Sequence, residues 1–179
     1  MRINQKGFTI LEMVIVIAIT MLLMSSVGVL MYNNERMVKR TTQTIDAKSI
    51  ALIAQEYIED ELRYAYIAEI TTDTISELEA EDAQYLRVKE NHTLEHHDSN
   101  GVDKLIVAVD AMKGTTLNVE FNKVSGKKNV LKVDVTVSGK DISEYALSNT
   151  IVLNNMGIIS PKTTEIEGIS GNTIIYLKP

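Results

Sequence analysis

Residues 7–32, GFTILEMVIVIAITMLLMSSVGVLMY, decide how the rest of the chain is read. Positions 13–32 are 20 residues without a charge. A helix of that length rises roughly 30 Å, about the hydrocarbon thickness of a bilayer. One carboxylate, Glu12, stands inside the apolar run, the fifth residue counted from Phe8. Burying a carboxylate at such a depth costs about 2.5–3.5 kcal/mol on insertion scales, so it calls for a partner or a purpose.

The residues before the span are short and polar, with Arg2 and Lys6 as the only charges. A secretory signal also starts with positive charge, but its apolar region runs about 7–15 residues and ends at a small-residue cleavage site. Here the apolar region is longer and no Ala-x-Ala precedes Tyr32. A plain anchor fits better, its amino terminus held in the cytoplasm by the positive-inside rule, yet a plain anchor leaves Glu12 unexplained.

Taken together, Lys6, Gly7, Phe8, Thr9, Ile10, Leu11 and Glu12 resemble the cleavage signature of type IV prepilins and type II secretion pseudopilins. The resemblance implies cutting after Gly7 by a prepilin peptidase and N-methylation of Phe8 as the new amino terminus. It also implies a role for Glu12 in assembly. Cleavage would create an amine on Phe8, and when subunits stagger along a filament the Glu12 carboxylate of one can meet the Phe8 amine of another. Each charge then offsets the burial of the other. The partners implied are the peptidase, other pilin or pseudopilin subunits, an inner-membrane assembly platform and the cytoplasmic membrane. The location implied is a single-pass membrane protein that becomes an extracytoplasmic filament or cell-surface subunit. The family's major pilins often carry a proline in mid-span; here the only prolines are Pro161 and Pro179, which leans toward a minor pilin or pseudopilin. The alternative is a membrane-anchored extracytoplasmic sensor or ligand-binding module that is never assembled.

Composition narrows the other classes. The net charge is −6 and no basic cluster compensates, so nucleic acid is not an expected partner. There is no Cys, which removes disulfide scaffolds and thiolate-ligated metals. No nucleophile motif or phosphate-cradling loop is present, and Ser125-Gly126-Lys127-Lys128 lacks the upstream Gly and following helix of a P-loop. The chain reads as a structural protein, not an enzyme.

After the span the helical pattern continues. Ile50, Ile53, Ala54, Tyr57, Ile58, Leu62, Ala65 and Tyr66 recur at three- and four-residue spacings, the mark of one apolar stripe on a helix. No Pro or Gly interrupts between Asn33 and Ile70. From Tyr85 the period becomes two. Strands are expected over 85–88, 104–111, 116–124, 130–137, 145–153 and 173–177, with 104–137 read as a three-stranded meander. The expected architecture is α+β, a long amino-terminal helix packed on an antiparallel sheet. Its order is a leader over 1–7, a transmembrane or filament-core helix over 8–32 and an amphipathic continuation over 33–70. An αβ-loop region follows over 71–103, then the sheet head over 104–179. Asp73, Glu77, Glu79, Glu81 and Asp82 make the start of that loop acidic.

Two clusters invite a metal. His92, Glu95, His96, His97 and Asp98 combine imidazole and carboxylate, but the segment reads as an exposed loop with nothing to fix its geometry. Asp98, Asn100 and Asp103 sit at positions loosely like part of a calcium loop, without the terminal Glu such a loop needs. Asn100-Gly101 alternatively makes a tight turn into the next strand. No cofactor is expected, and calcium is the ion that Asp98, Asn100 and Asp103 would suit.

Overall fold

The computed structural model describes residues 9–72, 84–89, 92–107, 114–139, 142–159 and 165–179. The leader, Gly7, Phe8 and the acidic stretch 73–82 fall outside these residues. The chain divides into two units, residues 1–42 and 43–179, which are described in turn.

Helix α1 spans Ile10–Leu62, 53 residues. Its amino-terminal portion, in the first unit, is exposed throughout. An 18-residue window within it has a mean hydropathy of 2.6, long and apolar enough to cross a membrane. The few hydroxyls here are spent on the helix's own carbonyls. Thr20 Oγ1 donates to Val16 O at 2.7 Å, Ser25 Oγ to Leu22 O at 2.8 Å and Ser26 Oγ to Leu22 O at 2.9 Å. This back-bonding satisfies each hydroxyl within the helix, as a hydrocarbon surrounding would require.

In the second unit, α1 buries Ala47, Ile50, Ala51, Ala54, Ile58 and Leu62. Three of these are Ala, which keeps that face of the helix narrow. The helix was expected to run to Ile70, and it stops at Leu62 instead. Nothing local forces the stop. Tyr66 N donates to Leu177 O at 2.9 Å, and Ile67–Thr71 becomes strand β1, paired with β9 (Thr173–Leu177). Ala65 and Tyr66 extend the helical stripe, but Ala68 and Ile70 also fit an alternating strand, and the backbone of β9 resolves the ambiguity.

Two antiparallel sheets complete the head. The first is ordered β1-β9-β2-β3-β4, with β2 Gln84–Val88, β3 Leu94–His97 and β4 Asp103–Val107. The second is ordered β7-β6-β5-β8, with β5 Thr115–Lys123, β6 Val130–Gly139, β7 Ile142–Val152 and β8 Ser170–Gly171. The second sheet shows the expected alternation plainly. Leu117, Val119 and Phe121 on β5 and Leu131, Val133, Val135 and Val137 on β6 are buried, while Glu120 and Lys132 point to solvent. Gly126, at φ 74° in the β5–β6 turn, supplies the left-handed residue that the turn needs.

Two expectations need correcting. The segment over 104–111 does not open the meander; its described part is β4, paired to β3 at the edge of the first sheet, and the meander is β5-β6-β7. The region 71–103 holds, besides the expected strand β2, a second strand that was not expected, β3.

The segment 165–171 lies against the outer edge of β1. Ile70 N donates to Glu167 O at 2.9 Å and Glu167 N to Ala68 O at 3.0 Å. Gly168 and Gly171 permit the approach: a Cβ on either would stand 2.2 Å from a β1 carbonyl oxygen, that of Ile70 or Thr71 respectively. An edge strand left bare is a template for unwanted pairing, and this segment covers it.

Candidate functional site

The amino-terminal end of α1 gives Glu12 a partner within its own chain. Thr9 is the N-cap: its Oγ1 accepts from Glu12 N at 3.3 Å, while Glu12 Oε2 accepts from Thr9 N at 2.9 Å and from Thr9 Oγ1 at 3.1 Å. This reciprocal pattern is a capping box, which satisfies orphan amides of the first turn and sets a negative charge at the positive end of the helix. The spacing Thr9-x-x-Glu12 carries that signature in the sequence. Gly7 and Phe8, the expected processing positions, lie outside the described residues.

In the head, the structure rearranges the His/acid cluster. Leu94–His97 is strand β3, not an exposed loop. Glu95, only 1% exposed, pairs with Arg87 Nε at 2.7 Å and with Lys89. His97 Nδ1 lies 2.6 Å from Asp103 Oδ1, and its ring stacks on Tyr85 at 4.6 Å between centroids. Arg87 in turn lies over the Tyr85 ring at 5.2 Å. His92 sits in the turn before β3 at φ 60°.

His96 turns to the other face of β3 and is 4% exposed. Its Nδ1 is 2.6 Å from Tyr57 Oη on α1 and its Nε2 is 2.9 Å from Tyr176 Oη on β9. Tyr176 Oη also donates to Glu61 Oε2 at 3.1 Å, and Lys178 bonds the same carboxylate oxygen. Because Tyr176 gives its proton to Glu61, its oxygen accepts from His96 Nε2–H, leaving Nδ1 to accept from Tyr57. The neutral ring satisfies every group in the chain. Burial pushes His96 below its usual value, with Lys178 and Lys104 acting in the same direction against Glu61 and Asp98. Burial likewise raises the Tyr57 phenol to about 12, helped by Glu61 and Asp98, and raises Tyr176 further still.

This network is a clamp between α1 and the first sheet, and it has a testable pH signature. The unfolded chain takes up a proton at the ordinary histidine pKa, near 6.5, while folded His96 resists it until lower pH. The clamp's contribution is therefore complete above about pH 6.5 and is lost as pH falls through the folded value. His96→Gln is expected to lower stability at neutral pH by about 1–3 kcal/mol by leaving buried hydroxyls poorly partnered. It should also flatten the acid limb of the denaturant midpoint measured from pH 7 to 5. An unchanged slope in the variant would assign the acid sensitivity elsewhere.

Asp98 and Asp103 flank the turn through Asn100, and both carboxylates already have partners within the chain. Asp98 Oδ1 accepts from Asn100 N and Val102 N, both at 3.0 Å, and Oδ2 accepts from Lys104 Nζ at 2.8 Å. These bonds, the Lys104 one first, hold the Asp98 carboxyl down at about 2, and the His97 bond lowers Asp103. Gly101 adopts φ 75° within this turn. Among the described residues no group of three or more His, Asp or Glu is placed to hold a metal ion.

Sequence reasoning missed the clamp because its bonded members lie up to 117 positions apart and only the fold brings them together. Tyr57 alone was legible, as a packing residue of the helix stripe.

The comparisons agree with the geometry at both ends of the molecule. Residues 2–28 match the family model of the prokaryotic N-terminal methylation motif. The structure is similar to a mutant of the PilB minor pilin from Streptococcus sanguinis, with a TM-score of 0.56 and 12% identity over 74% of this chain. The match covers 34% of that protein, so the chain corresponds to about a third of its length. A search of curated proteins returned no match. A methylation motif thus opens the long apolar helix, and the head that follows it has a fold similar to that of a minor pilin.

Proposed function

We propose that this chain is a minor pilin or pseudopilin of a type IV pilus-like filament. It is inserted through residues 13–32 with its leader in the cytoplasm, cut after Gly7 by a prepilin peptidase and N-methylated on Phe8. It then passes from the cytoplasmic membrane, by way of an inner-membrane platform, into an extracytoplasmic filament with other pilin subunits. The observation that carries this reading is the methylation motif over residues 2–28 joined to a span whose one acid is Glu12. The capping box fits it. Within the single chain Glu12 is satisfied by Thr9, so the carboxylate tolerates storage in the bilayer; in the filament it is offered to the Phe8 amine of a neighbour. Apolar helix packing supplies the driving force, and Glu12 sets the stagger.

Intact-mass measurement of the protein from native membranes tests the proposal. The expected species lacks residues 1–7 and carries one extra methyl group on Phe8. A chain that keeps its first seven residues would instead support an anchored sensor or ligand-binding module that is never assembled.

A further inference from the structure

Directly after the apolar span, α1 carries an aromatic residue and three cations on a single face. Tyr32, Arg36, Lys39 and Arg40 are related as i, i+4, i+7 and i+8, which gathers them within about 100° of the helix circumference. All four are exposed, and the Arg36 guanidinium lies over the Tyr32 ring at 5.6 Å. The opposite face, with Asn34, Met37 and Thr41, carries no charge. Glu35 is the one acid between Met13 and Thr44, so the segment is basic within a chain whose net charge is −6.

The charge runs against expectation. If the leader is cytoplasmic, this segment emerges on the far side of the membrane, where Lys and Arg are normally sparse beside a span. We infer that the Tyr32–Arg40 face is a docking surface for anionic phospholipid headgroups of the outer leaflet. The inference rests on the membrane-anchored reading of residues 13–32.

Depth, side-chain shape and charge all suit that occupant. Tyr32 ends the uncharged run, at the level where amphipathic rings sit in membranes. Arg36 to Arg40 lie about 6–12 Å further along the axis, at and just beyond a headgroup layer roughly 5–8 Å deep. Long Lys and Arg stems reach back toward the phosphates while their heads stay hydrated. The planar guanidinium groups take phosphate oxygens in pairs. Each cation near an anionic surface contributes roughly fivefold to binding, about a hundredfold for three before Glu35 offsets part of it. The consequence is a subunit held at a set depth before assembly, which must trade lipid phosphates for other anions when it leaves the bilayer.

The test uses the full chain reconstituted in nanodiscs of equal phosphatidylglycerol and phosphatidylcholine, with the retained lipids counted by native mass spectrometry. The expected result is at least tenfold retention of phosphatidylglycerol over phosphatidylcholine, weakening with salt. It should fall to near parity in the Arg36→Gln/Lys39→Gln/Arg40→Gln variant, whose new residues are good helix formers. Parity in the unsubstituted protein overturns the inference while leaving the anchored reading intact. A preference that survives the triple substitution overturns it too. Unchanged lipid retention combined with poor entry into filaments would overturn it in favour of an acidic neighbouring subunit. A chain that does not enter nanodiscs at all sinks the anchored reading itself.

Discussion

Glu12→Val is expected to insert in the membrane and be processed normally, yet to be nearly absent from sheared filaments. Valine is more apolar than glutamate, so the span itself loses nothing. Within the chain, Thr9 N loses its carboxylate acceptor, a capping loss of about 0.5–2 kcal/mol that frays one turn. Between chains the loss is larger. A Phe8 amine buried in a filament core without its partner costs about 3–5 kcal/mol per contact, equivalent to a factor of about a hundred to a few thousand in incorporation. Thr9→Val separates the two effects. It removes the hydroxyl that caps Glu12 N but keeps the carboxylate available, so incorporation should fall only a few-fold. Quantifying each variant in sheared filaments against membrane fractions decides the matter. Normal incorporation of Glu12→Val would remove Glu12 from assembly, and equal defects in both variants would make capping its whole role.

A large stability effect is expected from Gly171→Ala. Gly171 does not require a left-handed backbone; what it provides is room. A Cβ there would stand 2.2 Å from Thr71 O and 2.6 Å from Thr71 C, both backbone atoms of β1 that cannot swing aside. Relief requires segment 165–171 to lift from the strand, loosening the bonds of Glu167 to Ala68 and Ile70. A loss of about 2–4 kcal/mol is expected, which for a chain of this size lowers the melting temperature by roughly 4–16 °C. Gly126→Ala is the informative contrast. Its φ of 74° strains an alanine, but nothing lies within 4 Å of the new Cβ, so the cost should stay near 1–2 kcal/mol. Calorimetry on the two variants in detergent would show Gly171 as the worse position; equal losses would mean that the close contact with β1 relaxes freely.

Much of the molecule was legible in advance because its signals are local. An uncharged run of 20 residues has one physical solution, a helix that satisfies its own amides. Period-two alternation in β5 and β6 has one solution as well. The capping partner of Glu12 is local too, through the Thr9-x-x-Glu12 spacing, but it was not anticipated.

What escaped the sequence was non-local. Residues 63–70 satisfy helical and strand patterns equally, and only the waiting backbone of β9 settles their state. Leu94-Glu95-His96-His97 reads as polar and therefore as loop. It is a buried strand because Arg87 and Lys89 neutralise Glu95 from β2 and its flank, and because Tyr57 and Tyr176 close over His96 from α1 and β9. The same long-range pairing moved β4 out of the expected meander and into the other sheet. The amino-acid sequence alone determined the long apolar helix and the place of the one acid at its start, since those depend on composition and on spacing within a few turns. Where the helix ends, and whether a charged tetrapeptide is core or surface, was left to tertiary structure, because burying a polar group becomes possible only when distant residues arrive to pair with it.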